Sequence, residues 1–216
     1  MTPEQLAAQL RHPSGEEGAE VAANMNASNQ PIIANTYAAL SLQSGDRVLE
    51  IGPGSAGHLP ALLSQVDDLD YTGLDLSEDM VKAAQAMHES QPKVRFVQGD
   101  IVEAPLPDNY FHAIVAVNVV YFWQPLATAL KAIWQHMAPG GQLCLGLRDR
   151  KSMSTLAVFQ HGFLTYEGPD LLQALEAAGF VQPELKSFRE DSISVLGEIM
   201  HKTGLVVTAH KPENQP

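Results

Sequence analysis

The chain has 216 residues, of which 45% are hydrophobic and 18% charged. This length and apolar content exclude a disordered protein and predict one domain of ordinary size, at most with a small appendage. A formal net charge of −12 disfavours nucleic acid and anionic membranes as partners, and the single cysteine, Cys144, excludes an intrachain disulfide.

The start of the chain lacks the basic residues and the apolar run of a secretory signal. Its longest apolar stretch, residues 113–123, is shorter than the roughly 20 residues that span a membrane. We therefore expect a cytoplasmic protein with no integral membrane association. The eight histidines show no ligand spacing with Asp, Glu or Cys, so we expect no metal site. The sequence carries no signal for an oligomeric state.

The beginning of the chain is predicted to form short helices. Thr2 and Gln5 make a capping box at the start of the first helix, and Ser14 and Glu17 repeat this signal where a second helix should begin. Each helix is too short to bury an apolar face by itself. We therefore predict that residues 1–46 form a helical cap over the active site, which the rest of the chain provides.

From residue 47 onward, short β-branched runs alternate with amphipathic helical segments, a pattern typical of a parallel sheet covered on both faces. The predicted strands are RVLEI, YTGLD, VRFVQ, HAIVAVN and QLCLGLR, followed by PELKSF and GLVVTAH, whose closeness in sequence favours antiparallel pairing. Residues 47–216 therefore predict one α/β unit with a Rossmann-like seven-stranded sheet, mostly parallel with an antiparallel C-terminal strand. Ligands of such sheets bind at the carboxyl ends of the strands.

A glycine-rich turn is the strongest local signal. The segment VLEIGPGSAG leaves a strand, turns at Gly52, Gly54 and Gly57, and enters a helix. Glycine permits a sharp turn and lets a ligand lie directly against the backbone. The alternative is a tight turn without any ligand, since such glycine patterns are common between strands and helices.

Three acidic residues at successive strand ends favour a ligand. Glu50 lies two residues before Gly52, Asp75 ends the second predicted strand, and Asp100 ends the third. A carboxylate at position 75 can accept hydrogen bonds from both hydroxyls of a ribose. Asp100 is placed to accept a hydrogen bond from an adenine amine. Each acid alone is typical of a helix cap or a solvated turn, but the three together indicate a nucleoside.

Two ligands contain such a nucleoside, a dinucleotide and S-adenosylmethionine. A pyrophosphate binds to free N–H groups and disfavours a nearby carboxylate, whereas a sulfonium and an ammonium are stabilised by one. Glu50 beside the glycine turn therefore favours S-adenosylmethionine. An NAD-dependent oxidoreductase and a non-catalytic module that binds S-adenosylmethionine stay as alternatives.

These segments resemble the class I S-adenosylmethionine-dependent methyltransferases, in the methyltransferase type 11 group that includes the ubiquinone and menaquinone biosynthesis enzymes. The matching stretches are VLEIGPGSAG, LDLSEDMV, VRFVQGD, LPDNYFHAIVAVNV and LKAIWQHMAPGGQLCLG. The resemblance implies S-adenosylmethionine as the cofactor and methyl transfer to a small-molecule acceptor by in-line displacement. It also implies nine cofactor-binding residues, with Glu50, Gly52 and Gly54 near the methionine part, Asp75 on the ribose, Leu76 and Met80 beside the adenosine, Asp100 and Ile101 on the adenine, and Asn118 lining the pocket.

Candidates for the acceptor site follow the fourth and fifth strands. Tyr121 is a candidate catalytic residue, or an aromatic anchor for the next helix, and Arg148 is a candidate anion ligand, or a surface ion pair. His58 and His161 are candidate bases because imidazole titrates near neutral pH, although neither has an orienting partner in the sequence. We predict that residues 151–167 cover the acceptor pocket together with the N-terminal helices.

Overall fold

The computed structural model describes residues 1–213. The helices in this part of the chain are α1 (Pro3–Arg11), α2 (Gly15–Ser28), α3 (Gln30–Tyr37), α4 (Leu59–Leu63), α5 (Glu78–Met87), α6 (Leu126–His136), α7 (Arg150–Met153) and α8 (Gly168–Ala177). The strands are β1 (Arg47–Ile51), β2 (Asp70–Asp75), β3 (Val94–Gln98), β4 (Phe111–Val117), β5 (Met137–Arg148), β6 (Val181–Arg189), β7 (Ile193–Val195), β8 (Glu198–Met200) and β9 (Thr203–His210).

Seven of these strands form one sheet in the order β3-β2-β1-β4-β5-β9-β6. Strands β1 to β5 pair in parallel, and β9 pairs antiparallel with both β5 and β6. The predicted sheet is therefore confirmed. The strand order reverses between β1 and β4, which places a crevice at their carboxyl ends, where sheets of this kind bind ligands.

Both faces of the sheet are buried, because successive side chains of a strand point to opposite faces. In β1, Val48 packs into one apolar cluster and Leu49 into the other. In β4, Ile114 and Val115 divide in the same way. Near-continuous apolar runs in these central strands thus reflect helices on both sides of the sheet.

The strands β7 and β8 form a separate hairpin that the sequence analysis did not predict. Its turn passes through Leu196 and Gly197, with φ of 51° and 86°. Asn or Asp followed by Gly is the usual signal for such a turn, and leucine gives none. The hairpin was therefore not recognisable from turn chemistry.

The N-terminal helices begin as predicted, with one difference. Thr2 and Gln5 form the expected capping box of α1. Ser14 is the N-cap residue of α2, but its side chain makes no capping hydrogen bond, so the second capping box was wrong. The Gln9 side chain holds the Ser14 backbone instead, accepting from its N–H at 2.9 Å and donating to its carbonyl at 3.3 Å.

The segment between α1 and α2 lies against the carboxyl end of β2. The Ser77 hydroxyl donates to Pro13 O at 2.6 Å, and His12 Nε2 lies 3.2 Å from Leu76 O. Gly15 N donates to a carboxylate oxygen of Asp79 at 2.9 Å. These contacts hold the segment between α1 and α2 against the residues that follow β2.

Candidate functional site

A glycine loop follows β1. Gly52 and Gly54 have φ of 71° and 58°, in the left-handed region that favours glycine. A Cβ on Gly52 would lie 2.5 Å from Val119 Cγ2, whereas a Cβ on Gly54 would have nothing within 4 Å. The loop is thus packed against Val119 on one side and faces open space at Gly54, where a ligand can lie against the backbone.

Asp75, at the end of β2, lies beside this loop. Its two carboxylate oxygens accept hydrogen bonds from Gly54 N at 2.8 Å and from Ser77 N at 2.9 Å. Burial raises the pKa of Asp75, and these two backbone hydrogen bonds oppose the rise only in part. A carboxylate has about four acceptor positions, so lone pairs remain for a second pair of donors such as the hydroxyls of a ribose.

The loop and Asp75 border a narrow cleft at the carboxyl ends of β1, β2 and β4. This cleft brings together seven of the nine residues predicted to bind the cofactor, namely Gly52, Gly54, Asp75, Leu76, Asp100, Ile101 and Asn118. Side chains from the N-terminal segment also line it, namely Leu10, Arg11, Pro13 and Met25.

The other two predicted residues, Glu50 and Met80, line an adjoining cavity that shares Gly52 and Gly54 with the cleft. Met80 lies near the start of α5 on the buried side of that helix. Leu76 and Met80 thus line two adjoining spaces that meet at the glycine loop.

Glu50 is buried and bound by three side chains. It accepts hydrogen bonds from the Tyr71 hydroxyl at 2.7 Å and the Tyr37 hydroxyl at 2.9 Å, and its other oxygen lies 2.9 Å from His58 Nε2. Burial alone would raise the pKa of Glu50, but the charge of His58 and these hydrogen bonds outweigh it and lower the pKa. The Glu50 charge is thus balanced within the protein. His58, which lacked an orienting partner in the sequence, has one in Glu50.

The ion pair with Glu50 determines the direction in which the pKa of His58 is shifted. Burial acts to lower the pKa of this imidazole, but the charge of Glu50 and its hydrogen bond outweigh burial and raise the pKa above 6.5. Stabilisation by the protonated imidazole is therefore complete below pH 6.5 and is lost as the pH rises through the raised pKa. In an NMR titration, we expect His58 to stay protonated above pH 6.5 in the native protein and to titrate below it in Glu50→Gln. An unchanged midpoint in the variant would contradict the pairing.

Asn118 follows β4 and lines both the cleft and a larger cavity beside it. Its φ of 58° is a left-handed conformation that asparagine tolerates better than most residues. The side-chain oxygen accepts from the Tyr121 hydroxyl at 3.2 Å, whereas Nδ2 is buried without a partner among residues 1–213. A buried donor of this kind is costly unless a ligand satisfies it.

The larger cavity has a volume of about 590 Å³. Most of its lining is apolar, with Leu6, Leu10, Val21, Met25, Phe122, Met153, Phe159, Phe163, Ile193, Val195, Leu196 and Met200. Polar groups are fewer, with Asn24, Ser28, Asn29, Asn118, Tyr121, Arg148 and Ser194. Residues 151–167, the N-terminal helices and the hairpin of β7 and β8 all contribute to this lining.

The structure places the two candidate catalytic residues apart. Tyr121 lines the larger cavity, but its hydroxyl donates to Asn118 and accepts from Arg148 N at 2.5 Å. Burial raises the pKa of Tyr121, so the hydroxyl is suited to hold Asn118 and Arg148 in position and unsuited to act as a base. His161 is exposed and outside the cavity, because it follows a short 3-10 helix that turns Phe159 inwards instead. The geometry gives no support to His161 as a base.

The fold and the cleft define an α/β protein with a ligand-binding crevice at the carboxyl edge of its sheet, and comparisons with known proteins agree with that class. A family described as a methyltransferase domain matches residues 49–145. The uncharacterized methyltransferase YdaC of Bacillus subtilis is 31% identical over 129 residues, which cover 59% of this chain and 70% of YdaC. The chain spans about half or less of the length of the curated relatives that follow.

Solved structures of low sequence identity show the same fold. One is the complex between the Trm112 methyltransferase activator of Haloferax volcanii and a methyltransferase, with a TM-score of 0.78, 19% identity and coverage of 90% of this chain and 94% of that one. Another is phosphoethanolamine N-methyltransferase 2 of Haemonchus contortus with phosphomonomethylethanolamine and S-adenosylhomocysteine. There the TM-score is 0.75 at 13% identity, covering 98% of this chain and 60% of that one.

The chain belongs to the methyltransferase family that the family match and the similarity to YdaC define. This family membership favours S-adenosylmethionine over the dinucleotide that the glycine pattern left open. None of the helices formed by residues 1–213 combines the length and the apolar character needed to cross a bilayer.

Proposed function

We propose that this methyltransferase binds S-adenosylmethionine in the glycine-loop cleft and methylates a small, largely apolar acceptor in the adjacent cavity of about 590 Å³. The observation that carries the proposal is the position of Asn118. This residue lines both spaces, and its buried Nδ2 has no partner among residues 1–213. A methyl donor bound in the cleft and a methyl acceptor bound in the cavity would therefore meet at the side chain of Asn118.

The residues of the cleft fit the cofactor in three ways. Open space lies beside Gly54, the carboxylate of Asp75 keeps free lone pairs, and Ile101 and Leu76 offer apolar surface for a base. Asp100 has one oxygen engaged by Val102 N at 2.8 Å and the other available for an amine. When bound there, S-adenosylmethionine supplies a methyl group that its sulfonium has already activated.

Positioning and exclusion of water are the tasks left to the protein. The cavity is lined by α1, α2, residues 151–167 and the β7–β8 hairpin, so an acceptor in it is surrounded by apolar side chains. Holding two reactants in an attack geometry with water excluded supplies several kcal/mol towards a displacement reaction. The cavity lining supports an apolar acceptor body, with its polar end near Asn118.

The first test of this proposal is cofactor binding. We expect Asp75→Ala to bind S-adenosylhomocysteine at least tenfold more weakly than the native protein, because charge-assisted hydrogen bonds to the ribose are lost. Isothermal titration calorimetry measures the effect. Asp70→Ala is the matched control: Asp70 begins the same strand at its far end and pairs with Arg95 at 2.6 Å, so its loss should leave binding unchanged. Equal affinities of both variants and the native protein would refute the assigned cleft.

A further inference from the structure

Arg148 brings a buried positive charge to the wall of the larger cavity. Its guanidinium donates to Asn29 Oδ1 at 2.9 Å, to Ser28 O at 3.2 Å and to Glu190 Oε2 at 3.1 Å. The residue is 8% exposed and lines the cavity. Its Nε is buried and has no partner among residues 1–213. The sequence left open whether this arginine binds a ligand or forms a surface ion pair. The prediction of a surface ion pair is wrong, because Arg148 and the side chain of its partner Glu190 are buried.

Lys202 is a second buried cation close to Arg148. Lys202 Nζ lies 3.3 Å from the same oxygen of Glu190 and donates to Ser28 O at 3.2 Å. Two cations therefore share one carboxylate. Asp149, the neighbouring acid, caps α7 by accepting from Ser152 N at 2.8 Å and is only half-buried. Arg148 and Lys202 carry two positive charges and Glu190 carries one negative charge, so this cluster has a net positive charge.

The lining of the cavity contains no group suited to remove a proton. Of the residues that line it, only Tyr121 and Arg148 have titratable side chains. The Tyr121 hydroxyl is engaged by Asn118 and by Arg148 N, and an arginine stays protonated in proteins. An alcohol or a protonated amine would need a base to become a nucleophile. An acceptor that is already an anion at neutral pH needs none.

We propose that the acceptor is a carboxylic acid with an apolar body, bound through its carboxylate to Arg148 and methylated on a carboxylate oxygen. This inference rests on the proposed function. The Tyr121 hydroxyl contacts both Asn118 and the Arg148 backbone, which places the anion site at the end of the cavity nearest the cleft. Asn118 Nδ2 and Arg148 Nε are donors without partners there.

The reaction balances without a proton. The carboxylate oxygen forms a bond to the methyl carbon as the bond from that carbon to sulfur breaks, and the electron pair of the broken bond stays on sulfur. A carboxylate and a sulfonium thus become a neutral methyl ester and a neutral thioether. The positive cluster holds the acid as its anion, which is the reactive form.

The test compares decanoate with decanamide, a neutral probe of nearly the same shape, on protein saturated with S-adenosylhomocysteine. We expect calorimetry to show decanoate binding at least tenfold more tightly than decanamide, the effect of a charge-assisted hydrogen bond. In Arg148→Gln that preference should disappear while S-adenosylhomocysteine binds as in the native protein. With S-adenosylmethionine, the native protein should form methyl decanoate.

A second variant separates recognition from a structural role. Glu190→Gln removes the carboxylate that competes for Arg148 and keeps the side-chain shape, so decanoate should bind more tightly than to the native protein. A purely structural arginine predicts no such gain.

The inference would be overturned by equal binding of decanoate and decanamide, by the absence of a methyl ester from bound decanoate, or by the absence of a gain in Glu190→Gln. It would also be overturned if Arg148→Gln lost S-adenosylhomocysteine binding to the same extent as decanoate binding. The last outcome would assign Arg148 to the carboxylate of the cofactor. Failure of the native protein to bind S-adenosylhomocysteine would instead refute the proposed function itself.

Discussion

Replacing Glu50 with alanine is expected to lower the free energy of unfolding by about 3–5 kcal/mol, the cost of removing one partner of a buried ion pair. The carboxylate is 1% exposed and engages His58, Tyr37 and Tyr71. Its loss leaves two buried hydroxyls and an imidazole without their acceptor, together with a small cavity. Urea denaturation followed by circular dichroism measures the change.

Two variants calibrate this effect. Tyr37→Phe removes a single hydroxyl that donates to Glu50, so we expect a loss of about 1 kcal/mol. Glu50→Gln keeps the shape and one acceptor, so its stability should lie between those of Glu50→Ala and the native protein. A loss below about 1 kcal/mol in Glu50→Ala would mean that the network contributes little to the fold.

Gly52→Ala is expected to destabilise the protein by about 2–4 kcal/mol, from a left-handed backbone that alanine disfavours and from overpacking. The added Cβ would lie 2.5 Å from Val119 Cγ2, with φ at 71°. The double variant Gly52→Ala/Val119→Ala should recover the steric part and retain the backbone part. Chemical denaturation of the four proteins in this cycle measures the coupling, and strict additivity would refute the contact.

Gly54→Ala provides the contrasting result in the same loop. A Cβ at Gly54 meets nothing within 4 Å, so only the backbone cost of about 1–2 kcal/mol should appear in the unfolding free energy. Gly54 lines the cleft, however, and a methyl group there would occupy the space of the ligand. We therefore expect a tenfold or greater loss of S-adenosylhomocysteine affinity in protein that remains folded. Native affinity would place the ligand elsewhere.

Local patterns predicted those parts of the fold that local chemistry determines. The apolar run of β4 and the glycine turn after β1 could be predicted because the residue pattern of a single strand or turn depends on its immediate surroundings. The acids at positions 75 and 100 followed from the rule that parallel strands end at one edge, and the structure brings both into one cleft. The resemblance to a methyltransferase family added the nature of the ligand.

The features that were missed depend on contacts between distant segments. Tyr37, His58 and Tyr71 are 13, 8 and 21 residues from Glu50 and meet it only in the folded protein. Consequently Glu50 was interpreted as a charge that faces a ligand, whereas the structure surrounds it with donors from the protein itself. The ion cluster at Arg148 likewise depends on Glu190, which lies 42 residues away.

One hydroxyl links the two halves of the candidate site. The phenol of Tyr121 contacts the side chain of Asn118 and the backbone of Arg148, and each of these residues stands at the end of a different strand. Because this one hydroxyl bonds to both residues, a displacement of either residue would strain or break one of these hydrogen bonds. Under the proposed function, a methyl donor beside Asn118 and a methyl acceptor beside Arg148 would keep their relative position, because both residues are attached to adjacent strands of one sheet.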